Sequence, residues 1–159
     1  MKEHTIKKLQ QRGVTIDDMV PLVLQLQSPY FPDLTLEECR ESILAVLDKR
    51  DFQHIILTGI ALDELAEKDL IEEPMLSVLK SDDGLYGVDE ILALGAGTLY
   101  GTIGSTNFGY LDKTKPGIIG KLDTSHERVN TFLDDLVCAV VAASASRVAH
   151  KSRNLTKNE

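Results

Sequence analysis

The run from Phe132 to Ser146 is apolar or small nearly throughout, yet it opens with two adjacent carboxylates, Asp134 and Asp135. A helix without a polar face must be enclosed by other elements, so this segment predicts a buried helix. Burying an unpaired carboxylate costs more than a small domain can offset. The pair therefore calls for a compensating metal ion, lysine or arginine. A second acidic pair, Asp89 and Glu90, leads into another apolar, glycine-rich run from Ile91 to Gly104, and Asp112 and Asp123 stand between the two pairs. One carboxylate-lined site is the simplest arrangement that unites them.

Apolar residues recur at spacings of three and four with no sustained alternation, which predicts an all-α fold. Thr15 opens a helix through about Leu26, and Thr35 with Glu38 forms a capping box for a second. A third follows from about Asp51 to Ala66. A short one runs from Pro74 to near Lys80, before a turn at Ser81-Asp82-Asp83-Gly84. A helix is expected from Leu85 to about Gly104, with Ala93, Gly97, Gly101 and Ser105 forming a ridge of small side chains. A last long helix is expected from near Glu127 to about Lys151, with Ala139, Ala142, Ala143 and Ala145 as its small face. The expectation is a compact single-domain bundle of about six helices, with a central small-residue-rich helix and a flexible tail over residues 152–159.

The 159 residues suit one domain with a substantial core. A formal net charge of -8 argues against nucleic acid as a partner and against adhesion of the whole surface to anionic lipid. The cations do cluster locally, with Lys113, Lys115 and Lys121 in the middle and Arg147, Lys151, Arg153 and Lys157 near the end. Cys39 and Cys138, each in a helical pattern, give neither a disulfide framework nor zinc-ligand spacing, and both read as core. His54 and His126 have no metal-pair spacing. The N-terminus lacks the apolar run of a signal peptide, and no segment reads as a membrane span. These features predict a cytoplasmic protein with at most peripheral contact at the inner membrane face. Spare apolar and small-residue helix faces also make a homo-oligomer the expectation.

Leu111-Asp112-Lys113-Thr114-Lys115-Pro116, followed by Leu122-Asp123, resembles the Phe-Asp-x-x-Lys-Pro and Leu-Asp elements of the phosphatidylglycerophosphatase A family. Asp134-Asp135-Leu136-Val137-Cys138-Ala139 resembles its Asp-Asp-x-x-Ala-Gly, and Val88-Asp89-Glu90 its earlier Asp-Glu element, all in the family's order within residues 80–145. The chain departs from the pattern at Lys80-Ser81-Asp82, at Ile118 and at Cys138-Ala139, and it lacks the hydrophobic spans of membrane-embedded members. It therefore resembles a soluble branch. The resemblance implies a hydrolase of phospholipid biosynthesis, a phosphatase that converts phosphatidylglycerophosphate to phosphatidylglycerol. Its expected partner is a phosphorylated lipid or small phosphomonoester.

Carboxylates from separate helices can share a hard divalent cation such as Mg2+ and leave room for water and phosphate. Asp89, Glu90, Asp112, Asp123, Asp134 and Asp135 are the expected metal ligands. Asp89, Asp134 and Lys115 are the expected catalytic residues, and Lys113, Lys115 and Lys121 the phosphate-binding cations. Neighbouring helical residues point about 100° apart, so Asp134 and Asp135 should have unequal roles, as should Asp89 and Glu90. Water is the expected nucleophile, in preference to an aspartate. Each acidic pair taken alone could equally serve the dipole of a helix start. Two other classes compete with the phosphatase. Glu37-Glu38-Cys39-Arg40-Glu41 with Glu64 and Glu67 resembles the magnesium motif of helical nucleotide pyrophosphohydrolases, although capping explains Glu37 and Glu38. A non-catalytic relative that binds metal or phosphate is the other.

Overall fold

Helices begin where the local chemistry of the chain starts them. The computed structural model describes the backbone of residues 1–155 and the side chains of residues 1–151; the expected tail over 152–159 lies outside the residues whose side chains are described. The described residues form α1 (Lys2–Gln11), α2 (Ile16–Gln27), α3 (Leu36–Leu47), α4 (Arg50–Glu67), α5 (Met75–Ser81), α6 (Val88–Thr98), α7 (Gly101–Thr114), α8 (Ile118–Asp123) and α9 (Leu133–Leu155). Thr15 accepts from the Asp18 N–H while the Asp18 carboxylate accepts from the Thr15 N–H, and Thr35 with Glu38 repeats this device. Each box satisfies two donors that a helix start leaves open.

The last helix is central. Residues 130 through 146 are buried without interruption, and α9 packs against α2, α3, α4, α6, α7 and α8, while α1 and α5 lie outside against α4. Burying Leu133, Leu136, Val137, Val140 and Val141 on different sides of one helix contributes roughly 1.5–3 kcal/mol each. Ala139, Ala142, Ala143 and Ala145, all buried, keep the neighbouring helices close. The serines among them cost little because they are satisfied. Ser144 donates to Val140 O and Ser146 to Tyr100 O, while Ser42 reaches across from α3 to Ser144 O. No helix of the described residues is long and apolar enough to cross a membrane.

Four elements differ from the sequence reading. Helix α1 has no counterpart in it. The helix expected over Leu85–Gly104 is two, broken at Tyr100 and Gly101, whose φ of +76° lies in the left-handed region that ends a helix and favours glycine. The small-residue ridge is therefore not continuous. Of its members Gly97 faces a residue outside the ridge across a hairpin, where a Cβ on Gly104 would stand 2.4 Å from Gly97 O. Residues 109–124, expected as a connecting segment, contain the end of α7 and all of α8. The last helix starts at Leu133 instead of near Glu127, because Arg12 holds the preceding turn by donating to Val129 O and to Asn130 Oδ1. The close approach of α6 to α7 has a measurable consequence. Gly104→Ala is expected to lower stability by about 1–3 kcal/mol in chemical denaturation, since its contact is rigid backbone, whereas Gly95→Ala meets open space and should be neutral or stabilising.

Candidate functional site

The start of α9 is capped from a distance. Asp63, fully buried on α4, accepts from the Phe132 N–H with Oδ1 and from the Leu133 N–H with Oδ2, both at 3.1 Å. Thr131, a residue type that commonly caps its own helix, instead donates its hydroxyl to Leu79 O and ties down the end of α5. The first turn of α9 is thereby fixed against α4 and α5, and it carries Asp134 and Asp135 into the interior at 4% and 3% exposure.

Opposite them stands Lys115, at the C-terminus of α7. Its φ of +44° is left-handed, a conformation costing about 1–2 kcal/mol in a residue with a Cβ. The turn is locked behind it, because a Cβ on Gly120 of α8 would lie 2.4 Å from Lys115 O. This posture places the ammonium 2.8 Å from Asp134 Oδ2, 2.9 Å from Asp112 Oδ1, 3.4 Å from Asp123 Oδ1 and 3.7 Å from Asp135 Oδ1. Four carboxylates drawn from α7, α8 and α9 thus surround one cation.

The surrounding cleft, of about 360 Å³, is lined by Asp82, Asp83, Gly84, Gly87, Asp89, Glu90, Asp112, Lys113, Lys115, Asp123, Asp134 and Asp135. All six carboxylates singled out in the sequence line it, as do Lys113 and Lys115. Lys121 does not: it is exposed on α8 and is not among the lining residues. The sequence presents Asp82, Asp83 and Gly84 as a turn and Gly87 as part of the helix expected from Leu85, whereas that helix starts at Val88 with Gly87 just before it. These four residues form one wall. The acids of the pyrophosphohydrolase-like pattern do not converge. Glu38 closes the Thr35 box, Glu37 pairs with Arg40, Glu64 with Lys8, and Glu67 with Arg12. His54 and His126 are exposed, and both cysteines are buried, with burial raising the Cys39 thiol to about 11.

Eight carboxylates face two lysines in this cleft, so its electrostatics are unfavourable unless protons or cations are held there. Burial raises Asp134 to about 6 against the hydrogen bond and charge of Lys115. Asp135 rises to about 8, through burial and then the charge of Asp134. Asp89 is also raised by burial, opposed by backbone N–H groups at its helix start. Burial alone would lower the Lys115 pKa, but the hydrogen bond and charge of Asp134, with Asp112 and Asp135, reverse this and keep it an ammonium.

Among the described residues no three His, Cys, Asp or Glu side chains stand ready at metal-ligand spacing; the ammonium fills the centre. The donor chemistry nevertheless suits a hard cation, being all carboxylate oxygen, and Asp89 Oδ1 and Asp135 Oδ1 are buried with no hydrogen-bond partner. The raised acids also set a pH dependence. An unfolded aspartate loses its proton near pH 4, whereas Asp135 and Asp63, the latter also raised by burial to about 8, keep theirs in the folded protein until near pH 8. The folded state binds more protons in that window, so stability is greatest below it and falls as pH rises through it. The thermal midpoint in divalent-free buffer is expected to decline from pH 5 to pH 8.5, and Asp135→Asn should flatten the decline.

The family model for phosphatidylglycerophosphatase A matches residues 19–150. Uncharacterized protein YpjQ of Bacillus subtilis is 48% identical over 100% of this chain and 90% of its own length, and uncharacterized protein YutG of the same organism is 49% identical over 97% and 93%. The crystal structure of YpjQ aligns with a TM-score of 0.92 at 49% identity, covering 97% of this chain and 96% of that one. The crystal structure of low temperature requirement C protein from Listeria monocytogenes aligns with a TM-score of 0.91 at 50% identity, covering 96% of each chain.

Proposed function

The chain belongs to the phosphatidylglycerophosphatase A family, and on that premise we propose that it is a divalent-cation-dependent phosphomonoesterase that hydrolyses phosphatidylglycerophosphate to phosphatidylglycerol and inorganic phosphate. The observation that carries this reading is Lys115 ringed by carboxylates, with Asp89 Oδ1 and Asp135 Oδ1 buried beside it and without a hydrogen bond. Asp89, Glu90, Asp112, Asp123, Asp134 and Asp135 are the residues that would hold Mg2+, which when bound neutralises phosphoryl charge and acidifies water.

The remaining work falls to the protein. Lys115, held as an ammonium, neutralises phosphoryl oxygens on the incoming ester. In the ion-free cleft Asp134 holds Lys115 through the 2.8 Å contact, and it would turn to the ion when one binds. Asp135 leaves its buried Oδ1 without a hydrogen-bond partner and would offer that oxygen to the ion, while the attacking water supplies the proton that the departing alcohol oxygen takes up as the ester P–O bond breaks. The two neighbours accordingly do different things.

An apolar ridge supports the lipid as substrate. Leu85, 97% exposed, and Val88 and Ile91, also exposed, alternate in sequence with Gly84, Gly87 and Glu90 of the cleft wall. A substrate whose phosphate enters the cleft would lay its acyl-glycerol portion along this ridge. In a phosphate-release assay with Mg2+, the double variant Leu85→Glu, Ile91→Glu is expected to lose about tenfold in kcat/KM on long-chain phosphatidylglycerophosphate in mixed micelles. Its rate on a water-soluble phosphomonoester such as p-nitrophenyl phosphate should not change. Release from soluble esters only, by the unmodified protein, would remove the lipid assignment.

A further inference from the structure

The place of Lys115 among the carboxylates has a second meaning, which rests on the divalent-dependent reading above. Four carboxylates lie within 4 Å of its nitrogen. A cation at the centre is what such a cluster requires, and an ammonium and a divalent ion meet that requirement in mutually exclusive ways. The same oxygens cannot hold both at contact distance without bringing two positive centres together.

Two further observations show that the ammonium does not saturate the cleft. Asp135, 3% exposed, and Asp89, 7% exposed, each leave Oδ1 buried and without a hydrogen-bond partner. These oxygens already face a cleft with room for a ligand. The lysine, in contrast, is held at its backbone by the left-handed turn and the Gly120 contact, while its side chain remains 26% exposed and so has a way out.

We propose that Lys115 is an internal competitor for the divalent cation: its ammonium holds the acidic cleft when no ion is bound, gives up those carboxylates when the ion enters, and is thereby freed to bind a phosphoryl group. Phosphate binding then follows ion binding, and an ion-free protein keeps its phosphate-binding lysine occupied by its own aspartates. This coupling needs no domain movement. One side chain exchanges a carboxylate partner for a phosphate partner.

The test uses metal-stripped full-length protein at pH 8 and isothermal titration with Mn2+. Lys115→Met is expected to bind the ion at least about tenfold more tightly than the unmodified protein. Equal or weaker binding by the variant overturns the competition, as does an absence of saturable binding in both. The helicity of the variant is checked by circular dichroism, and a second measurement uses the natural lysine. In 13C-labelled protein the Lys115 Cε resonance, assigned by its loss in Lys115→Arg, should shift on saturation with Mg2+ and return with chelator; an unmoved resonance overturns the proposal. Orthophosphate should bind the Mg2+-saturated protein and not the stripped one. Competition without turnover would sink the phosphatase assignment while leaving this coupling intact, and turnover without competition would do the reverse.

Discussion

Asp63→Ala is expected to destabilise the protein by about 2–5 kcal/mol. The substitution strips the cap from the helix around which the fold is built, leaving the Phe132 and Leu133 N–H groups buried with no acceptor. Each orphaned donor costs roughly 1–3 kcal/mol, and a small cavity adds to this. The region tolerates little relaxation. Phe132 is fully buried, Gly59 one turn away on α4 packs against Phe132 and Leu136, and Arg12 pins the preceding turn. Asp63→Asn, which keeps one acceptor oxygen, should cost about half as much. Urea denaturation of the two variants checks the claim, and a loss below about 1 kcal/mol for Asp63→Ala would mean that α9 does not depend on this cap.

The second large effect is on turnover. Asp134→Asn should lower kcat/KM for phosphate release by about a thousandfold or more, with little loss of stability, because shape is kept while a buried charge is removed. Asp134 is the carboxylate closest to Lys115 and almost fully buried; Asp123, at 3.4 Å, is about one-third exposed. Water therefore screens Asp123 and can replace much of what it does, so Asp123→Asn should cost no more than about tenfold. Equal losses in the two variants would show that depth of burial does not grade these acids. Lys121→Ala, outside the cleft, should leave turnover within about twofold.

Much of this was legible because charge and apolar pattern conflict visibly at Asp134 and Asp135. The same conflict marks Asp63, which falls on the buried face of α4 with Ile56, Gly59, Ile60 and Ala66, but a lone acid within a helix lacks the doubled signal of a pair and was missed. The capping boxes at Thr15 and Thr35 were readable because their partners are three residues apart. The break at Gly101 was not, since a run without charged residues from Ile91 to Leu111 looks the same to periodicity whether it is one helix or a hairpin of two. The Asp82–Gly87 wall also escaped notice, because turn residues carry no periodicity and only the fold brings them to Asp89. That Lys115 lies at the centre of the carboxylates, and not at their edge, is a fact of the left-handed turn at the end of α7. Spacing alone does not contain it.

Phosphomonoester hydrolysis in this acidic cleft is tested by inorganic phosphate release from phosphatidylglycerophosphate by purified protein, with and without Mg2+, beside Asp134→Asn. Release is expected to require the ion and to disappear in the variant while its unfolding transition is retained. Release that persists in Asp134→Asn, or no release by the unmodified protein from any phosphomonoester at saturating Mg2+, would contradict this assignment.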